Sequence, residues 1–302
     1  MKHNTKVTIL LISMFLITQM IGLFIVSVYV NGLELPYGMQ PPSEIKDEPQ
    51  GVQIIFAFII AIGLFFLLIK LNAETFLRIW FFVVTIIALG LTLTAILFSI
   101  NISYASYIAL LIALPLAYMK IFKRDLIVHN LTELLIYPGI AAVFIPLLNV
   151  VWIIILLLII SLYDMWAVWH SEFMQKLAKY QINNLKFFTG FFVPYATQKQ
   201  KQKIKFLKSK YKNDQLEKQL KKENIKINLA ILGGGDIIFP IITAGIFYKF
   251  YESFVPALII TLFATIALLT LFIIARKGKF YPAMPFITAG LYLGMLVNWL
   301  VF

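Results

Sequence analysis

Nine apolar stretches, each near the length of a bilayer crossing, are separated by short segments that hold almost every basic residue. About 20 consecutive apolar residues cross the hydrocarbon core as a helix. In lipid the backbone must satisfy its own polar groups, so a helix is the conformation open to each stretch. The predicted spans are Val7–Val30, Val52–Ile69, Ile79–Phe98, Ile102–Met119, Leu126–Ile145, Leu147–His170, Ile225–Phe250, Phe254–Ala275 and Tyr281–Phe302. The fifth and sixth form one apolar run that is too long for a single crossing, and Pro146 with Asn149 marks the predicted turn. The first run exceeds a signal-peptide apolar region and lacks an A-x-A cleavage site, so it reads as a span. The expected fold is an all-α, multi-pass integral membrane protein of the cell membrane with nine transmembrane helices.

The charges orient this array. With the N-terminus cytoplasmic and the C-terminus external, 24 of the 26 Lys and Arg residues fall on the cytoplasmic side, leaving Lys46 and Lys249 outside. That asymmetry is what the positive-inside rule requires. The net charge of +12 therefore has a topological origin, and membrane lipid rather than nucleic acid is the expected partner. The chain divides into residues 1–170 (helices one to six), a basic cytoplasmic loop at 171–224, and residues 225–302 (helices seven to nine). Within the loop, aromatic Leu185–Tyr195 is expected at the membrane interface. Lys-rich Gln198–Lys222 is expected to be a solvated linker near anionic headgroups, with a gate over the site as the alternative.

Composition narrows the chemistry. The chain has no Cys, which excludes thiolate catalysis, disulfides and Cys-ligated metals. Its three His residues are scattered, and neither HExxH nor GxSxG occurs, which argues against a zinc or serine hydrolase. No metal and no organic cofactor is expected.

Three carboxylates remain inside the predicted spans: Glu133, Asp164 and Asp236. A carboxylate at bilayer depth costs about 2.5–3.5 kcal/mol on insertion scales, so its default meaning is functional. Asp236 follows Gly233, Gly234 and Gly235 and precedes Pro240, which cannot donate to the carbonyl of Asp236. Read as a continuous helix, span seven puts Asp236 about 15 Å from the cytoplasmic face, and Asp164 lies about 10 Å from it on span six. Two consecutive antiparallel helices thus carry one Asp each at similar depth. Carboxyls within hydrogen-bonding reach share a proton and titrate as a pair. One can then take a proton from water while the other polarises a scissile carbonyl. Gly233 and Gly235 are expected to admit a neighbouring backbone. Glu133 lies four residues after His129 and is expected to form a self-satisfied pair with it near the interface. Tyr163 would either fill space or bond a carboxyl. The same carboxylates would also serve a secondary transporter or ion channel as a relay.

Tyr163-Asp164, Gly233-Gly234-Gly235-Asp236 and Pro282-Ala283-Met284-Pro285 resemble the YD, GxGD and PAL motifs of presenilins and signal peptide peptidases, the GxGD intramembrane aspartyl proteases. The resemblance covers the whole chain and is strongest to the archaeal presenilin homologues. Met284 stands where the third motif usually has Leu, a near-isosteric change. The resemblance implies a presenilin-like fold, Asp164 and Asp236 as the catalytic pair, and Pro282, Ala283, Met284 and Pro285 lining the site. It also implies transmembrane-helix substrates, single-span with an external N-terminus, and leaves a homo-oligomer open. Because each Pro disfavours helix in the residue before it, the third motif is expected to offer free backbone to an extended substrate strand.

Overall fold

The computed structural model describes residues 5–39, 51–71, 73–123, 125–170, 180–181, 188–195, 228–275 and 281–302. These residues form α1 (Thr5–Val30), α2 (Gly51–Lys70), α3 (Glu74–Ser99), α4 (Ala105–Tyr118), α5 (Leu126–Phe144), α6 (Val150–Trp169), β1 (Gly190–Tyr195), β2 (Asn228–Gly233), α7 (Gly234–Tyr251), α8 (Phe254–Ile274) and α9 (Met284–Val301). The nine helices follow the nine expected spans in order. Seven of them are long and apolar enough to cross a membrane, α4 and α5 with the short turns that extend them.

Local chemistry sets the boundaries. Pro115 lies inside α4 without breaking it, and the helix relaxes into a π-turn at Met119–Lys123. The predicted break between the fifth and sixth spans is a single 3-10 turn, Ile145–Leu147. Asn149 then caps α6, its side chain accepting from the Trp152 N–H at 2.9 Å. Such caps satisfy a donor that the first helical turn cannot.

The main core joins residues of α1, α5, α6, α7, α8 and α9 with both strands. α1 packs against α5, α7 and α8; α3 packs on α4 and α5; α9 packs on α8 and α6. Gln19 of α1, fully buried, donates to the Ile237 carbonyl at 2.9 Å, next to the carbonyl that Pro240 leaves without its helical donor. α7 is thereby held from the first helix near Pro240.

Two expectations are corrected. Span seven is not one helix from Ile225: Asn228–Gly233 is extended and pairs antiparallel with Gly190–Tyr195. A strand advances about 3.3 Å per residue against 1.5 Å for a helix, so the depth expected for Asp236 from a continuous helix does not carry over. The aromatic segment is not an interfacial apron either, because Phe191 is fully buried and Phe188 and Val193 nearly so. Val, Phe and Tyr in alternation suit a pleated strand, and burial between α5 and β2 outweighs the pull of the interface. The Leu185–Phe187 part of that segment and all of Gln198–Lys222 lie outside the described residues.

Candidate active site

Asp236 sits in the first turn of α7. Gly233 is the N-cap, with extended backbone (φ −66°, ψ 148°), and its N–H bonds the Asp236 carboxylate. This is the reciprocal half of a capping box, in which an acidic side chain three residues in reaches back to the cap. The three glycines therefore do not lie in a helix interior, where a continuous span seven would put them. They form the strand-to-helix junction, where a carboxylate also meets the positive end of the helix dipole.

The expected roles of the glycines shift accordingly. A Cβ on Gly233 would meet only the Asp236 carboxylate, at 3.1 Å, and one on Gly235 would find nothing nearer than Phe239 at 4.0 Å. It is Gly234 that is closely approached, and by a side chain rather than a backbone. A Cβ there would lie 2.8 Å from the Tyr137 hydroxyl and 2.9 Å from its ring.

Asp164 is buried at 7% exposure, six residues from the C-terminus of α6. Its Oδ2 accepts from the Met284 N–H at 3.1 Å, and the Ala283 N–H also bonds the carboxylate. The first N–H groups of a helix have no partner within it, and here those of α9 are spent on Asp164. Pro285 lies in the first turn of α9, where its missing N–H leaves nothing unsatisfied. This corrects the expectation of free backbone across the third motif: Tyr281–Ala283 is non-helical, but Met284 begins the helix and both nearby donors are taken. Pro282 and Met284 are buried, and Ala283 and Pro285 partly so.

Each carboxylate is thus held by the N-terminus of a different helix, and Asp164 and Asp236 lie within electrostatic reach of one another. Gly235 is exposed and Asp236 beside it only partly so, while Asp164 is nearly enclosed. Two acids so placed, one reachable from outside, can exchange a proton with a bound water and with a carbonyl. Tyr163 is half-buried with its ring against Trp166, centroids 6.5 Å apart. Among the described residues its hydroxyl bonds neither carboxylate, which leaves the space-filling alternative.

Glu133 requires a correction. It is 1% exposed and pairs with Lys120 of the π-turn, while His129 turns its Nε2 to the Gly190 carbonyl at 2.8 Å. The sequence placed Lys120 in a cytoplasmic turn and gave no sign that the π-turn would fold it inward. Tyr137 was missed as well. It stands one helical turn beyond Glu133, within electrostatic reach of Glu133 and Asp236, and the i, i+4 spacing was the available signal.

A family model described as signal-peptide peptidase, presenilin aspartyl protease matches residues 12–302. Two solved structures of a presenilin family intramembrane aspartate protease share this fold. The one in space group C222 gives a TM-score of 0.61 at 18% identity, covering 98% of this chain and 99% of that one. The one in space group P2 gives 0.59 at 18% identity, covering 97% of each. No curated protein matches the chain in sequence.

Proposed function

Because this chain belongs to the signal-peptide peptidase and presenilin family of aspartyl proteases, we propose that Asp164 and Asp236 are its catalytic pair, cutting peptide bonds of transmembrane helices inside the bilayer. The observation that supports the assignment is that these two acids lie within electrostatic reach of one another, one near the end of α6 and one at the start of α7, each held by a helix N-terminus. An aspartic endopeptidase needs one acid and one base from that pair. The dyad holds one proton. The ionised carboxylate takes a proton from water as the oxygen attacks the scissile carbonyl carbon, and the protonated partner donates to the carbonyl oxygen. Collapse of the resulting diol breaks the C–N bond, and a carboxyl proton passes to the leaving nitrogen. The backbone donors at Gly233, Ala283 and Met284 keep both carboxylates in place through these exchanges, so little reorganisation accompanies reaction.

A substrate helix has its scissile carbonyl bonded to its own backbone, so it must unwind before water can attack. The extended β2 enters α7 immediately before Asp236, and among the described residues nothing pairs with its outer edge. An unwound substrate segment would gain backbone bonds there, while Gly235, open beside Asp236, leaves room for it. With the N-terminus cytoplasmic, the substrates are single-span proteins with an external N-terminus.

The test is cleavage of a single-span reporter by the purified protein in lipid vesicles supplied with oxygen-labelled water. One label in the new carboxyl terminus is expected, and no product from Asp164→Asn. Product formation by Asp164→Asn at the wild-type rate would overturn the assignment.

A further inference from the structure

Next to the dyad, and not needed for its chemistry, lies a buried polar cluster on α4 and α5. Lys120, His129 and Glu133 are 3%, 5% and 1% exposed. Lys120 pairs with Glu133, and its Nζ also lies 3.4 Å from His129 Nδ1. Burying both members of an ion pair carries a desolvation penalty that apolar residues of the same volume would avoid. Stability alone gives such a cluster no advantage, so what it holds in place becomes the question.

It holds strand β1. His129 Nε2 lies 2.8 Å from the Gly190 carbonyl. A carbonyl only accepts, so Nε2 carries the proton, and Nδ1 is left to accept from the Lys120 ammonium. Glu133 fixes that ammonium, and its Oε1 is 3.8 Å from His129 Nε2, beyond hydrogen-bonding distance. The neighbouring Asn130 donates to the Phe192 carbonyl at 2.8 Å and accepts from the Phe192 N–H at 3.0 Å. Gly190 and Phe192 are alternate residues, so both bonds fall on the same edge of β1. Two side chains of α5 therefore occupy that edge as a neighbouring strand would.

The clamped end of β1 is the end that meets the strand-to-helix junction before Asp236. Gly190 pairs with Gly233, and the Gly234 N–H bonds the Thr189 carbonyl at 3.2 Å. Gly190 has φ +145°, open to glycine but not to other residues, so the strand can bend there to reach the junction. Gly233 in turn bonds the Asp236 carboxylate. A continuous line of contacts thus runs from Lys120 and Glu133 through His129 and Gly190 to Gly233 and Asp236.

We propose that Lys120, Glu133, His129 and Asn130 are positioning residues that lock the outer edge of β1 to α5 and so fix the junction from which Asp236 projects. The lock also reserves the opposite edge of the sheet, that of β2, as the one open to an extended segment. This rests on Asp236 being catalytic, as proposed above. Lys120 has a particular part in it: it selects the His129 tautomer that can donate to Gly190.

The experiment has two arms. In the first, reporter cleavage is measured for His129→Phe, which keeps a ring but no nitrogen, and His129→Gln, whose amide can still donate to Gly190. His129→Phe should lose about 10- to 100-fold in kcat, the range expected for a slightly misplaced catalytic group, with KM little changed. His129→Gln should recover most of that loss. Full kcat in His129→Phe, or a loss matched in His129→Gln, would overturn the proposal. In the second arm, nitrogen NMR of His-labelled protein reads the ring directly and needs no cleavage. Of the three His rings, the one whose signal is absent from His129→Gln is that of His129; in the wild type it should be neutral and Nε2-protonated, and Lys120→Met should turn it into a tautomer mixture. Nδ1 protonation of that ring in the wild type, or its indifference to Lys120→Met, would contradict the lock. Should His129→Phe not fold, His129→Gln kinetics and the spectra still decide. Should wild-type protein cleave no reporter, the protease assignment fails, and the second arm still tests the lock.

Discussion

Replacing Gly234 by Ala offers a sharp probe of the junction. The added methyl would come within 2.8 Å of the Tyr137 hydroxyl and 2.9 Å of its ring, well inside ordinary carbon contact distances. Tyr137 cannot easily retreat, since it is 4% exposed and its ring lies edge-on against Phe191, centroids 6.2 Å apart. Overpacking of this kind costs about 1–3 kcal/mol. If the strain is relieved by moving the first turn of α7, it falls on Asp236, two residues away. At about 1.4 kcal/mol per tenfold in rate, the loss in kcat would be about 5- to 100-fold. The assay is reporter cleavage, run on Gly234→Ala, Tyr137→Leu and the double variant. Shortening Tyr137 should restore much of the activity lost to Gly234→Ala, giving a clear coupling energy between the two sites. Wild-type kcat in Gly234→Ala, or strictly additive losses in the double variant, would refute the claim that Tyr137 packs on the junction.

Other consequences follow from the same geometry. Gly235→Ala meets no protein atom nearer than 4.0 Å, so its effect should appear in substrate KM or the position of the cut, with the melting temperature unchanged; a loss of stability would contradict the open space beside Asp236. Asn149→Ala removes the cap of α6 and should lower stability by about 1 kcal/mol, read from thermal unfolding in detergent, while activity at low temperature persists. Cleavage should rise and then fall with pH, because the low limb leaves both acids protonated and without a base, and the high limb leaves both ionised and without an acid; a profile that only rises would argue against a shared proton.

Much of this arrangement was legible before any coordinates. Apolar length and the placement of Lys and Arg were enough for nine helices, because lipid permits so few alternatives. The two acids could be paired from consecutive spans alone. What stayed hidden arises from tertiary contact. Asn228–Gly233 is as apolar as a helix start and becomes a strand only because Gly190–Tyr195 is there to pair with it. Lys120 counted as a loop charge because its inward turn depends on a π-turn and on Glu133. His129 and Glu133 do face one another across an ion-pair distance of 3.8 Å, but Lys120, shared by both, and the Gly190 carbonyl complete the set. Asp236 reads as a mid-helix residue only under the assumption of a continuous helix, and the strand-to-helix junction at Gly233 removes that assumption.

The most direct measurement of the central claim is a rate comparison among Asp164→Asn, Asp236→Asn and the double variant, each confirmed as folded. Groups that act as one unit lose function together, so the double variant should be no slower than either single one. Every variant should fall to background, while wild-type protein cleaves the reporter. Measurable cleavage by either single variant, or a further loss in the double, would mean that the two acids do not work as a pair.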